Sequence, residues 1–129
     1  MSEAKRALVI TDGTQSIQPT AQLISDALAG FDVKICPAES FAGNDLLPAS
    51  LFFIGCENPK PENFAYLEEL FQHINLASRK CGIFCKNEKT LDYLRGIVKD
   101  SEAHCFELLL SPEGKTEKTT IEKWLNNIL

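Results

Sequence analysis

No apolar run in this 129-residue chain approaches the roughly 20 residues needed to cross a bilayer, so a membrane-spanning helix is not expected. The opening stretch MSEAKRALVITDG lacks a secretory pattern with a small-residue cleavage site, and a cytoplasmic location is expected. There is no basic run either. Acidic residues outnumber basic ones by 18 to 13, giving a formal net charge of −5, which argues against nucleic acid or an anionic membrane as partner. Acidity suits docking on basic proteins, though solubility alone also accounts for it. Closely spaced cysteine pairs of the CxxC type are missing. The five cysteines, Cys36, Cys56, Cys81, Cys85 and Cys105, are spread along the chain, and His73 and His104 lie far from Cys81 and Cys85 in sequence. A zinc site would need paired ligands, so free buried thiols in a reducing compartment are expected and no metal is. Without internal repeats, low-complexity tracts or linkers, residues 1–129 read as one domain.

What is present is an alternation of short apolar runs and amphipathic stretches. Residues 6–11 (RALVIT) form a near-continuous β-rich run, as in a strand covered on both faces. A turn over 12–18 leads to a helix in which Pro19 fits the first position. Ile17, Ala21, Ile24 and Leu28 recur at helical spacing up to Gly30. Residues 31–35 (FDVKI) alternate as a strand nearer an edge, and 40–46 (SFAGNDL) suit a turn of helix. Residues 50–55 (SLFFIG) are the clearest buried strand. The prolines of the next loop delay a helix until Pro61, from which it runs to about Asn75 with Phe64, Leu67, Phe71 and Ile74 inward. Residues 80–85 (KCGIFC) make another core strand. A short turn, 86–89 (KNEK), precedes a helix over 90–99 with Leu91, Leu94 and Val98 inward. A last strand over 103–110 and a surface loop over 111–116 lead to a helix over 116–129, with Ile121, Trp124, Leu125 and Ile128 in the core. Five strands alternating with helices predict an α/β doubly wound parallel sheet of order 2-1-3-4-5, a three-layer sandwich. Its ligand crevice lies at the carboxyl ends of strands 1 and 3. Loops 12–18, 56–63 and 86–89 line that crevice.

The first loop runs into a helix N-terminus, where backbone N–H groups and the helix dipole favour an anion. Thr14 and Ser16 add hydroxyls, and Gly13 lets the backbone approach a ligand. Asp12 instead places a carboxylate where a phosphate would sit, so an anion site and a plain helix cap both remain open. A metal-binding receiver domain would need an acidic cluster, for which only Asp12 and Glu57 are candidates. A cysteine phosphatase would need its thiol where Asp12 stands. Cys56 and Cys85 fall at the crevice mouth, where packing is the simplest role and a thiol function the alternative.

At these residues the chain resembles the flavodoxins. The shared framework is an apolar strand, a hydroxyl-rich turn and a helix opening with Thr20-Ala21, then FFIGC (52–56), RKCGIFC (79–85) and a tryptophan in the last helix, EKWLNNI (122–128). The resemblance implies a flavodoxin-like fold, FMN as cofactor, low-potential electron transfer to redox partner proteins, and a carrier rather than a catalyst. It places the cofactor on Thr11, Asp12, Gly13, Thr14, Gln15, Ser16 and Ile17, on Cys56, Glu57 and Asn58, and on Cys85, Lys86 and Asn87. The chain departs from the family in all three loops. Against the Thr/Ser-x-Thr-Gly-x-Thr phosphate loop, an alignment from Thr20-Ala21 keeps only Thr14. A one-residue shift restores Thr11 and Ser16 at the outer positions, with Gly13 and Thr14 in swapped order. No large ring occurs in loop two before Phe64, and Tyr93 falls inside the following helix. The expectation is an FMN-binding electron-transfer protein with a degenerate cofactor site; the alternative is a flavin-free binding or regulatory module.

Overall fold

The structure, a computed structural model, describes residues 5–46, 48–110 and 117–129. Its centre is a five-stranded, all-parallel sheet of order β2-β1-β3-β4-β5, built from β1 (Lys5–Thr11), β2 (Phe31–Pro37), β3 (Leu51–Gly55), β4 (Lys80–Cys85) and β5 (His104–Leu109). The predicted α/β order 2-1-3-4-5 is the one observed. The helices are α1 (Gln18–Ala27), α2 (Gly43–Leu46), α3 (Ala65–His73), α4 (Glu88–Lys99) and α5 (Lys118–Ile128).

Side-chain alternation explains why the central strands read as unbroken apolar runs. In β1, Leu8 and Ile10 join the core beneath α3 and α4, while Ala7 and Val9 join the core beneath α1 and α5. In β3, Phe52 and Ile54 take the first face, Leu51 and Phe53 the second. Both faces need apolar residues because both are covered. Two close approaches set the packing at the middle of the sheet. A Cβ on Gly82 would stand 2.5 Å from the Phe53 ring and 2.7 Å from Trp124; one on Gly55 would stand 2.2 Å from the Phe84 ring. Trp124 meets Phe53 edge-on at 5.5 Å between ring centroids, so its expected core role is the observed one.

The Arg79-Lys80 pair at the start of β4 closes two ends of the molecule. The Arg79 guanidinium donates to the carbonyls of Leu46 (2.9 Å) and Ala49, tying down the connection around α2. Lys80 Nζ donates to the Ile128 carbonyl at 2.6 Å, satisfying a terminal acceptor of α5.

Several boundaries differ from expectation. Pro19 is the second helical residue of α1, since Ile17 occupies the N-cap. β2 continues to Pro37, two residues past its predicted end. Pro61 is extended (ψ 145°) and a 3-10 turn, Glu62–Phe64, intervenes before α3, with Phe64 N–H donating to the Pro61 carbonyl at 3.0 Å. α3 stops at His73, because Ile74 turns extended (ψ 141°). α4 begins two residues early, at Glu88, because the Asn87 side chain caps it. The predicted surface loop over 111–116 and the start of the last helix at Thr116 lie outside the described residues.

Candidate functional site

The carboxyl ends of β1, β3 and β4 bring the three predicted loops together. Thr11, buried at the end of β1, accepts from the Gly13 N–H at 3.1 Å and donates to Gln18 Oε1 at 3.4 Å. Gly13 takes φ +80°, a left-handed turn that a side chain would strain. The Asp12 carboxylate is the hub. Oδ1 accepts from the Thr14 N–H at 3.1 Å and the Thr14 hydroxyl at 2.7 Å. Oδ2 accepts from the Glu57 N–H at 2.8 Å, across the gap between β1 and β3. The Asp12 carbonyl accepts from Asn63 Nδ2 at 2.9 Å. A carboxylate with three donors is a strongly held group.

The donors at the start of α1 are similarly engaged. Ile17 and Gln18 N–H groups both donate to the Thr14 carbonyl, at 3.2 and 3.1 Å, those of Thr20 and Ala21 to the Ile17 carbonyl, and Pro19 has none. Ile17 itself is fully buried in the core beneath α1 and α5, so its side chain is packing. Ser16 is different: its Oγ is buried and has no hydrogen-bond partner among the described residues. Gln15 is exposed and, with Gln18, Pro19, Gln22 and Ile35, lines a shallow cavity of about 480 Å³ on the β2 side of α1, away from the other two loops.

Loop two is stitched down on both sides. Glu57 donates its N–H to Asp12 and accepts from the Thr90 hydroxyl at 3.4 Å. Asn58 and Lys60 are exposed, and Lys60 holds φ +55°, uncommon for a residue with a side chain. In loop three Lys86 is half-buried, and Asn87 Oδ1 accepts from the Thr90 N–H and the Thr90 hydroxyl, each at 2.9 Å. Asn63 and Thr90 were not singled out from the sequence. The Asn87-x-x-Thr90 spacing of an N-cap was the available signal for Thr90; Asn63 lies 51 positions from its partner and carried none.

Cys56 and Cys85 end up as buried neighbours, since Gly55 and Phe84, one residue before each, are register partners. Burial pushes the Cys56 thiol well above its ordinary value and the Cys85 thiol up to about 11, with Cys85 Sγ donating to the Asn87 carbonyl at 3.4 Å. Both are protonated at neutral pH, which makes them poor nucleophiles. Phe64 is fully buried and stacks on Tyr93 at 6.3 Å, underneath the loops.

No protein-family model matches this chain, and no curated protein matches it. Solved structures do. A flavodoxin from Streptococcus pneumoniae TIGR4 superposes with TM-score 0.74 at 16% identity, covering 97% of each chain. A short-chain flavodoxin associated with a PDU bacterial microcompartment gives 0.77 at 14%, covering 98% of this chain and 97% of the other. Flavodoxin 2 from Bacillus cereus gives 0.72 at 18%, covering 97% and 95%. The fold is flavodoxin-like.

Within a flavodoxin-like frame, the loops can be tested against FMN. A phosphate at the first loop would compete with Asp12 for the Thr14 N–H and hydroxyl, and would meet that carboxylate's charge. Loops 12–18, 56–63 and 86–89 contain no aromatic residue to stack on a flavin ring, and Phe64, next in sequence after the second loop, is fully buried. Ser16 Oγ is the one feature that suits a phosphate. Taken together, the residues present do not fit FMN held in the flavodoxin manner.

Proposed function

We propose that this chain is a flavodoxin-like binding or regulatory module that works without FMN, as one domain over residues 1–129. The Asp12 carboxylate carries the reading: it takes up the Thr14 N–H and hydroxyl and the Glu57 N–H, and it puts a negative charge where an anion would enter the first turn. Missing ring partners support it. Base-stacking values of about 1–3 kcal/mol per ring imply a loss of ~10²–10⁴-fold in affinity when two are absent. Protonated Cys56 and Cys85 give no support to nucleophilic catalysis at the same crevice.

The second reading is an FMN electron carrier with a redox protein partner, using Thr11, Asp12, Gly13, Thr14, Gln15, Ser16, Ile17, Cys56, Glu57, Asn58, Cys85, Lys86 and Asn87. The buried, unpartnered Ser16 Oγ favours it. FMN fluorescence separates the two. The flavin-free reading expects a colourless protein that leaves FMN emission unchanged at high protein concentration. Saturable quenching at micromolar concentration would overturn it and establish the carrier reading. Asp12→Thr then asks what blocks the site: gain of quenching in this variant identifies the carboxylate as the obstacle, whereas no gain makes the loop a cap only.

A further inference from the structure

Cys81 and Cys105 are register partners on the neighbouring parallel strands β4 and β5. Register partners of a parallel pair carry their side chains on the same face of the sheet. Here that face is the one beneath α3 and α4. Cys81 joins its core, and Glu107, two residues beyond Cys105, meets Arg95 of α4. Adjacent strands lie about 4.7–4.9 Å apart, inside the ~4.4–6.8 Å that a disulfide spans between Cα atoms. The Cβ atoms must close to about 4 Å. β5 can supply that movement because it is the last strand of the sheet on its side.

The two thiols differ in access. Cys81 is fully buried and Cys105 is exposed, so a reagent meets the pair through Cys105. Cys56 and Cys85 are neighbours as well, but both are fully buried, and that pair has no exposed member.

We propose that Cys105 and Cys81 form a reversible disulfide, with Cys105 as the entry point for a small-molecule disulfide such as oxidised glutathione and Cys81 as the resolving thiol. Cys105 Sγ attacks one sulfur of the glutathione disulfide. The S–S bond breaks, and one glutathione leaves as a thiol with the proton that Cys105 gives up. Cys81 Sγ then attacks Cys105 Sγ and expels the second glutathione, which takes the Cys81 proton. Two protein thiols are oxidised and one small disulfide is reduced to two thiols. Desolvation raises both protein thiols, Cys81 well above its ordinary value and Cys105 to about 11, and the nearby Cys105 thiol adds to the Cys81 shift. The thiolate is the nucleophile, so exchange is slow at neutral pH, while side-by-side placement favours the second step. Lying at an exposed edge, the bond is of the kind that a dithiol readily reopens. Once formed, it fastens the amino end of the edge strand covalently to the strand beside it.

Incubation of the folded full chain with oxidised glutathione at mildly alkaline pH, then alkylation in denaturant and peptide mass mapping, tests this. The expected result is loss of two of the five free thiols, no glutathione retained, and the Cys81 and Cys105 peptides joined until dithiothreitol separates them. Cys81→Ala should stop at one glutathione on Cys105, and Cys105→Ser should keep its remaining thiols free. Mapping of the unsubstituted chain decides by itself should Cys81→Ala fail to fold. Glutathione held on Cys105 in that chain, a bridge between any other pair such as Cys56 and Cys85, or five thiols that stay free would each overturn the proposal.

Discussion

α1 and α4 both start at the carboxyl end of the sheet, yet their first turns are satisfied by different means. α4 is capped locally: Asn87 stands at the N-cap and its side chain accepts from Thr90, three residues on. α1 has Ile17 at its N-cap, a residue whose side chain makes no cap hydrogen bond. Its donors fold back on the Thr14 carbonyl, and the adjacent Asp12 spends its carboxylate on Thr14 and on Glu57, 45 positions away. One turn is a cap and the other a clasp between β1 and β3. A turn that performs tertiary work with its only carboxylate has little left for an anionic ligand.

The difference can be broken by substitution, and the largest expected effect is at the clasp. Asp12→Ala leaves the Glu57 and Thr14 N–H groups without their acceptor and should destabilise the protein by about 2–4 kcal/mol, read from urea unfolding. Amide exchange at Glu57 should accelerate with it. If Asp12→Ala proves no worse than Asn87→Ala, the clasp is only another cap. The second effect is smaller: Asn87→Ala should lose about 1 kcal/mol, the ordinary value of an N-cap, with exchange quickening only in the first turn of α4.

Acid gives the smallest effect. Arg95 holds Glu107, and Lys34 holds Asp45, below their ordinary carboxylate values through their hydrogen bonds. A carboxyl lowered in the folded state adds stability above its unfolded value of about 4, and that stability is lost as pH falls through the lower folded value. Both pairs are solvent-exposed, so the melting temperature should fall only slightly below that pH, and less at high salt. A large drop would mean that these surface pairs do more than their geometry allows.

The framework was legible because two-sided burial writes itself into sequence. RALVIT, SLFFIG and KCGIFC had to be apolar at both parities, and the inward residues of α3, α4 and α5 repeat at helical spacing. The boundaries at Pro61 and Asn87 were less legible because they turn on local choices that the apolar pattern does not record. Pro61 has a φ that a helix would accept (−62°) but an extended ψ, and Asn87 reads as a loop residue until its cap is seen. The site was legible in position and not in chemistry. Asp12, Thr14 and Ser16 stand out in the sequence as a polar turn. That Asp12 turns inward to serve Glu57 and Thr14 depends on partners brought together only by folding.

The cysteines give the molecule a built-in set of clocks. Cys36 on β2, Cys81 near the start of β4, and the neighbours Cys56 and Cys85 past β3 and at the end of β4 are buried, whereas Cys105 is exposed. A thiol reagent can reach Cys105 from the folded state and the others only when their part of the sheet opens. The order in which the four become trapped ranks the local opening of the sheet strand by strand, with Cys105 marking time zero.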